Sequence, residues 1–305
     1  MRFIDMHEDL AISSMKMDVT LDSPQSNLKS LQKLEGGIIF GSIFPHVPLV
    51  RRENHSDEVF TTTPNRELLF GQIALYHSLS LEHSIPIIRS SGDIDMDRLS
   101  FLLALEGTDT LVKPADVLLL RELGVRSIGI TWNYDTKFGA SCHSRHDYGL
   151  TGSGEDLVGI CNDSGIIVDL AHSSRKTILD VCRISSRPVI FSHGNSRSVY
   201  SNVRNIDDEC IEAVASTGGI IGITAIPTTL SEAPQVEDMV RHATYIGDRF
   251  GWDHVGIGTD FLGIDSTPQG FEDIGKIRVL QDLLGNNAEK VMWKNGERVL
   301  RKVLP

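Results

Sequence analysis

Two rhythms of apolar residues run through this chain. Short, nearly continuous apolar runs occupy residues 3–6, 37–44, 101–106, 125–131, 166–172, 188–193, 219–224 and 254–260. Runs of that length and content suit strands of a parallel sheet buried on both faces. A ninth short run, 85–88, lies in the long segment between the second and third and reads as decoration.

Between the runs the apolar spacing changes to three and four. Residues 67–81 place Leu68, Leu69, Ile73, Leu75 and Leu79 on a helical pattern. Further helices are predicted over 115–123, 154–162, 175–183, 207–216 and 236–250. Gly124, Gly165 and Gly218 stand just beyond three of them, where a C-terminal cap is expected. Strand and helix alternate through eight strands, which predicts an α/β protein of the (β/α)8 TIM-barrel class. An open, doubly wound sheet is the competing architecture, but no Gly-x-Gly-x-x-Gly follows a strand. The expected organisation is one catalytic barrel over 1–305, with a long loop at about 45–66 near the mouth, marked by Pro45, Pro48 and Pro64.

Composition narrows the classes. The 305 residues are 40% hydrophobic, enough for a sizeable core, and no apolar run reaches bilayer length. A net charge of −12 without a basic block argues against nucleic acid as a partner. The four cysteines form no Cys-x-x-Cys, and the first strand begins at residue 2 with no leader-like segment before it. A soluble, cytoplasmic protein with unpaired thiols and no membrane partner is expected; a homodimer is one assembly open to it.

A barrel of this type carries its chemistry where its strands end. Those ends hold His7 and Asp9, Glu106, Thr131-Trp132-Asn133, His172, His193 and Asp260. Residues two apart on a strand share a face, so His7 and Asp9 project together. Singly, His172 and His193 read as core histidines, Glu106 as a helix cap and Asp260 as a turn residue. Asp169, offset by odd parity from His172, is expected to face the helices. Together, three imidazoles and three carboxylates at one level point to a divalent metal site. One catalytic zinc needs about three protein ligands. Five strong candidates fit two ions roughly 3.5–4 Å apart, with Glu106 best placed to bridge them and a water activated between. The other histidines (His46, His55, His77, His83, His143, His146, His242 and His254) are expected at the surface.

These residues carry a resemblance to the membrane (renal) dipeptidase family of metallopeptidases, within the amidohydrolase-like barrels. It rests on Asp5-Met6-His7-Glu8-Asp9, Leu105-Glu106-Gly107, Gly149-Leu150-Thr151, Val168-Asp169-Leu170-Ala171-His172 and Pro188-Val189-Ile190-Phe191-Ser192-His193. It continues through Arg204-Asn205-Ile206, Gly256-Ile257-Gly258-Thr259-Asp260-Phe261 and a helix over 295–300. The resemblance implies one zinc on His7 and Asp9, with Glu106 bridging to a second on His172 and His193. It also implies Asp260 as the proton-transfer group and Arg204 as the grip on a substrate carboxylate. The implied substrates are dipeptides, with tolerance for a C-terminal D-residue. Two positions depart from the family. Its carbonyl-polarising histidine after the fourth strand is replaced by Trp132, which leaves Trp132 and Asn133 as expected substrate-binding residues. A usual second aspartate is replaced by Leu262.

The expected activity is a binuclear metallodipeptidase. Other metal-dependent hydrolyses on the same site, by an N-acyl amino acid deacylase, an amidase or a lactonase, form the alternative, because a barrel does not choose its reaction. A non-enzymatic binding protein is the third reading, opposed by the complete ligand set.

Overall fold

Apolar strands flanked by helices can bury both faces only by layering, and closing the sheet removes its edges. The computed structural model describes residues 1–48 and 62–305. Its strands are β1 (Arg2–Glu8), β2 (Gly36–Ile43), β3 (His46–Pro48), β4 (Thr62–Pro64) and β5 (Leu99–Leu105), followed by β6 (Val125–Gly129), β7 (Ile167–Asp169), β8 (Ile190–Gly194), β9 (Ile220–Ile223) and β10 (Val255–Ile257). Eight of them close a parallel barrel in the order β1-β10-β9-β8-β7-β6-β5-β2. Each of the eight apolar runs supplies one of those strands. The run at 85–88 contributes only an isolated bridge, Ile87 to Phe101.

The helices fall where the spacing places them. Val236–Phe250 matches the expectation residue for residue, and Arg66–His83 extends the first one by one residue before and two after. Their ends have local causes. Asn65, Thr151, Ser174 and Asp207 each accept a backbone N–H of the first turn. Gly165, at φ 67°, closes the helix Gly152–Ser164 in the left-handed conformation that glycine adopts at no steric cost.

Two packed layers result. Within the barrel Ile4, Met6, Ile38, Phe40, Leu102, Ala104, Ile167, Ile190 and Ile220 pack together. Val299, Leu300 and Val303 of the helix Asn295–Val303 join them and seal the end where the strands begin. Outside, Phe3, Ile39, Phe101, Leu103, Val168 and Ile221 pack in one cluster with helix residues such as Ile73, Tyr76 and Val214.

Two expectations need correcting. The segment at 45–66 is not all loop. Its ends form an antiparallel ribbon in which His46, Val47 and Pro48 pair with Pro64, Thr63 and Thr62, the β-branched Val47, Thr62 and Thr63 suiting a pleated pair; its interior and His55 lie outside the described residues. His46 and His242, expected at the surface, are 1% and 0% exposed. His242 Nδ1 accepts from Ser196 N, and its Nε2 meets Leu230 O at 3.2 Å. Those partners lie 46 and 12 residues away, so local pattern carries no sign of them.

Candidate metal centre

Two kinds of backbone feature aim the side chains at the mouth of the barrel. The first is irregular pairing. The register shifts between Asp5 and Glu8 on β1 and between Phe191 and Gly194 on β8, the spans that carry His7 and His193. Such bulges turn a side chain away from simple alternation. Ile4 and Met6 accordingly pack inside the barrel, yet His7 joins the site one residue later. The second is left-handed backbone beyond the strand end. β7 stops at Asp169 and β10 at Ile257, while His172 and Asp260 lie further on, at φ 64° and 63°. The parity argument from Asp169 to His172 therefore does not apply across that turn. Asp169 is structural nevertheless, its Oδ1 accepting from Ala171 N and Ser192 N.

Candidate ligand atoms crowd together at the mouth: His7, Glu106 and His193 form one ligand-distance group, and His7, Asp9 and Asp260 form another. His7 Nε2 lies 3.4 Å from Asp9 Oδ2, 3.7 Å from Glu106 Oε1 and 3.7 Å from Asp260 Oδ1. His172 Nε2 lies 3.0 Å from Glu106 Oε1 and 3.0 Å from His193 Nε2, and His193 Nε2 is 3.7 Å from the same Oε1. Among the described residues His7 Nε2 and Asp9 Oδ1 are buried with no hydrogen-bond partner. Buried polar atoms left in that state are costly unless something binds them. Asn133 Oδ1 accepts from His172 Nδ1 at 2.8 Å, so the lone pair of that ring is on Nε2 and points into the cluster. Ser192 Oγ lies 2.8 Å from His193 Nδ1 and orients the second ring. Nitrogen and carboxylate donors without a thiolate fit zinc or a similar divalent ion.

The charges press on one another strongly. Burial raises the Glu106 carboxyl to about 8; His7 opposes this, and Asp9 and Asp260 add to it. Burial likewise carries Asp260 up to about 7, against the pull of His7. For His7, burial disfavours the cation, but the carboxylates of Glu106, Asp9 and Asp260 outweigh it and lift the imidazole well above its ordinary value. His172 and His193 are held well below theirs, first by burial and then by nearby positive groups, Arg204 and His7 for the first and His7 for the second. Neutral imidazole is the form that ligates a metal.

The other expected site residues surround this centre. Trp132 is half-buried with its ring centroid 6.0 Å from that of His172, and it contacts Phe44, His46 and Tyr134. Asn133 is committed to His172 by its amide oxygen and stands behind that candidate ligand. Arg204 shares a cavity of about 220 Å³ with His172 and Cys142, and its Nε and Nη2 are buried without a partner among the described residues. Gly263 completes the wall, since a Cβ there would come within 2.2 Å of Asp9 Oδ2. Beside Trp132, His46, expected at the surface, and Asp109, singled out by no motif, bring Nε2 and Oδ2 to 3.5 Å. Their signal was available: His46 comes three residues after the end of β2 and Asp109 four after the end of β5.

A closed (β/α)8 barrel with buried imidazoles and carboxylates converging at its mouth has the donor set of a metal-dependent enzyme. The model of the membrane dipeptidase family, peptidase family M19, matches residues 1–304. The chain belongs to that family, and it is a hydrolytic metalloenzyme of the dipeptidase class. A dipeptidase of Claviceps purpurea is 31% identical over 295 residues, spanning 91% of this chain and 69% of that protein. A dipeptidase of Clonostachys rogersoniana is 32% identical over 292 residues, spanning 90% and 74%. Among solved structures, a metallopeptidase of Rhodobacter sphaeroides liganded with a phosphinate mimic of L-Ala-D-Ala superposes with a TM-score of 0.84, at 24% identity and 99% coverage of each chain. A probable dipeptidase of Pseudomonas aeruginosa gives 0.85 at 16% identity, covering 99% of this chain and 95% of that one. Those two likenesses speak for the fold. Among the described residues no helix is long and apolar enough to cross a membrane.

Proposed function

We propose that the chain is a binuclear dipeptidase holding two zinc ions, one on His7 and Asp9, the other on His172 and His193, with Glu106 shared between them. The observation that carries this reading is the position of Glu106 Oε1, 3.7 Å from His7 Nε2, 3.0 Å from His172 Nε2 and 3.7 Å from His193 Nε2. When bound, such ions acidify a water and polarise a carbonyl. The protein's own groups do the rest. Asp260, raised to about 7, is matched to accept a proton from the attacking water and deliver it to the departing amine near neutral pH. Its Oδ1 also lies in a ligand-distance group with His7 and Asp9, and the assignment as a proton carrier comes from the family resemblance. Arg204 has two nitrogens, Nε and Nη2, without a partner among the described residues, which suits a planar carboxylate gripped by both. Asn133 fixes the tautomer of His172, and Trp132 forms one wall.

The substrate is then a dipeptide with its C-terminal carboxylate on Arg204. Tolerance for a C-terminal D-residue is supported by the L-Ala-D-Ala mimic that the R. sphaeroides relative holds. The free thiols of all four cysteines fit a reducing compartment, and we infer a cytoplasmic location. Reconstituted protein should contain about two divalent ions per chain. It should hydrolyse L,L- and L,D-dipeptides and lose that activity when their amino group is acetylated. At most one ion per chain would end the binuclear reading, and preference for the acetylated substrates would make the enzyme a deacylase.

A further inference from the structure

We propose that Arg197 is a positioning residue for Arg204: it holds the backbone on both sides of Arg204 and so aims that guanidinium at the substrate carboxylate. The inference rests on the role given to Arg204 above. Arg204 lies in the loop between β8 and the helix Asp208–Ser216. Arg197 Nε donates to the carbonyl of Asn205 at 3.1 Å, and its Nη2 donates to the carbonyl of Val203 at 3.2 Å. One guanidinium thus brackets residue 204. Arg197 N also donates to Ile206 O at 2.9 Å, and Arg204 N donates to Asn202 Oδ1 at 2.9 Å. The loop is tied at every residue around Arg204, whereas two nitrogens of Arg204 itself have no partner among the described residues.

A long side chain whose tip is free takes its direction from its backbone. A small tilt at the Cα displaces the guanidinium enough to spoil a two-point contact. Arg197 is exposed and enters no ion pair among the described residues, whereas Arg175, which lines the same cavity, is paired with Asp207 and Glu209. Its observed bonds go to two backbone carbonyls, a divergent pair of acceptors that a planar fork reaches and a lysine ammonium does not.

The test uses metal-loaded Arg197→Lys, Arg197→Gln and Arg204→Lys proteins, each assayed on a dipeptide and on its C-terminal amide. Both Arg197 variants should raise KM for the free dipeptide roughly tenfold while changing kcat by less than about twofold, the pattern of lost ground-state orientation. The amide should suffer much less, so the penalty for amidation shrinks as it does for Arg204→Lys. Equal losses on both substrates, with Arg204→Lys still discriminating between them, would overturn the positioning role alone. If Arg204→Lys itself fails to discriminate, the carboxylate grip is wrong and this inference falls with it. Thermal unfolding of the variants separates a merely structural defect, which would lower stability and act on both substrates alike.

Discussion

At the end of the barrel where the strands begin, Ile4, Ile38, Leu102, Ile167, Ile190 and Ile220 interlock with one another and with Val299 and Leu300. At the other end the same sheet delivers His7, Glu106, His172, His193 and Asp260. The floor is built mainly of buried aliphatic side chains. The mouth buries polar atoms on His7, Asp9 and Arg204 that have no partner among the described residues, and it holds His172, Asp260 and Leu262 in left-handed backbone at φ 64°, 63° and 70°. Non-glycine residues in that region cost on the order of 1–2 kcal/mol each. The mouth is therefore a destabilised structure held in place by a stabilising one. The contrast locates function where the local rules of folding are broken and stability where they are obeyed.

The sharpest way to break that contrast is Asp260→Asn, which changes one oxygen to nitrogen at the mouth. Turnover should fall by about 10²–10⁴, the range for loss of a general acid-base group, while elemental analysis still finds both ions. Loss of metal instead would make Asp260 a ligand.

The floor gives the converse. Leu102 is fully buried in the inner cluster, and Leu102→Ala should lower stability by about 2–5 kcal/mol through lost transfer energy and a residual cavity. Denaturant unfolding measures the loss, and kcat per folded, metal-loaded molecule should stay unchanged. A parallel fall in kcat would show that the two ends are not separable.

The smallest effect concerns pH. With Glu106 raised to about 8 and His7 well above its ordinary value, the metal-free mouth holds protons at neutrality that ligation must displace. The sign follows: affinity for zinc should strengthen as pH rises towards about 8, by roughly tenfold per pH unit for each proton displaced. Calorimetric titration in buffers of different ionisation enthalpy counts those protons, and a pH-independent affinity would contradict the charges assigned to Glu106 and His7.

Much of the fold was legible because it depends on local periodicity. The apolar run at 101–106 and the three-four spacing at 236–250 translate directly into β5 and Val236–Phe250. Glu106 was legible too, since it continues the inward alternation of Leu102 and Ala104. His172 was legible as a residue but not as a geometry, because the strand that should have carried it stops three residues earlier. His46 was expected at the surface because its burial comes from Thr62, Asp109 and Trp132, contacts made across the chain.

By itself the sequence determined which residues alternate, where helices start and stop, and that imidazoles and carboxylates gather after successive strands. These follow from the pleat, the helical turn and the capping of backbone groups, all of which act over a few residues. Tertiary structure alone decided how closely Glu106 approaches His7, His172 and His193, that bulges fall where His7 and His193 leave their strands, and that Arg197 brackets Arg204. Such distances depend on how a closed sheet registers strands separated by a hundred residues or more, and no local preference encodes that register.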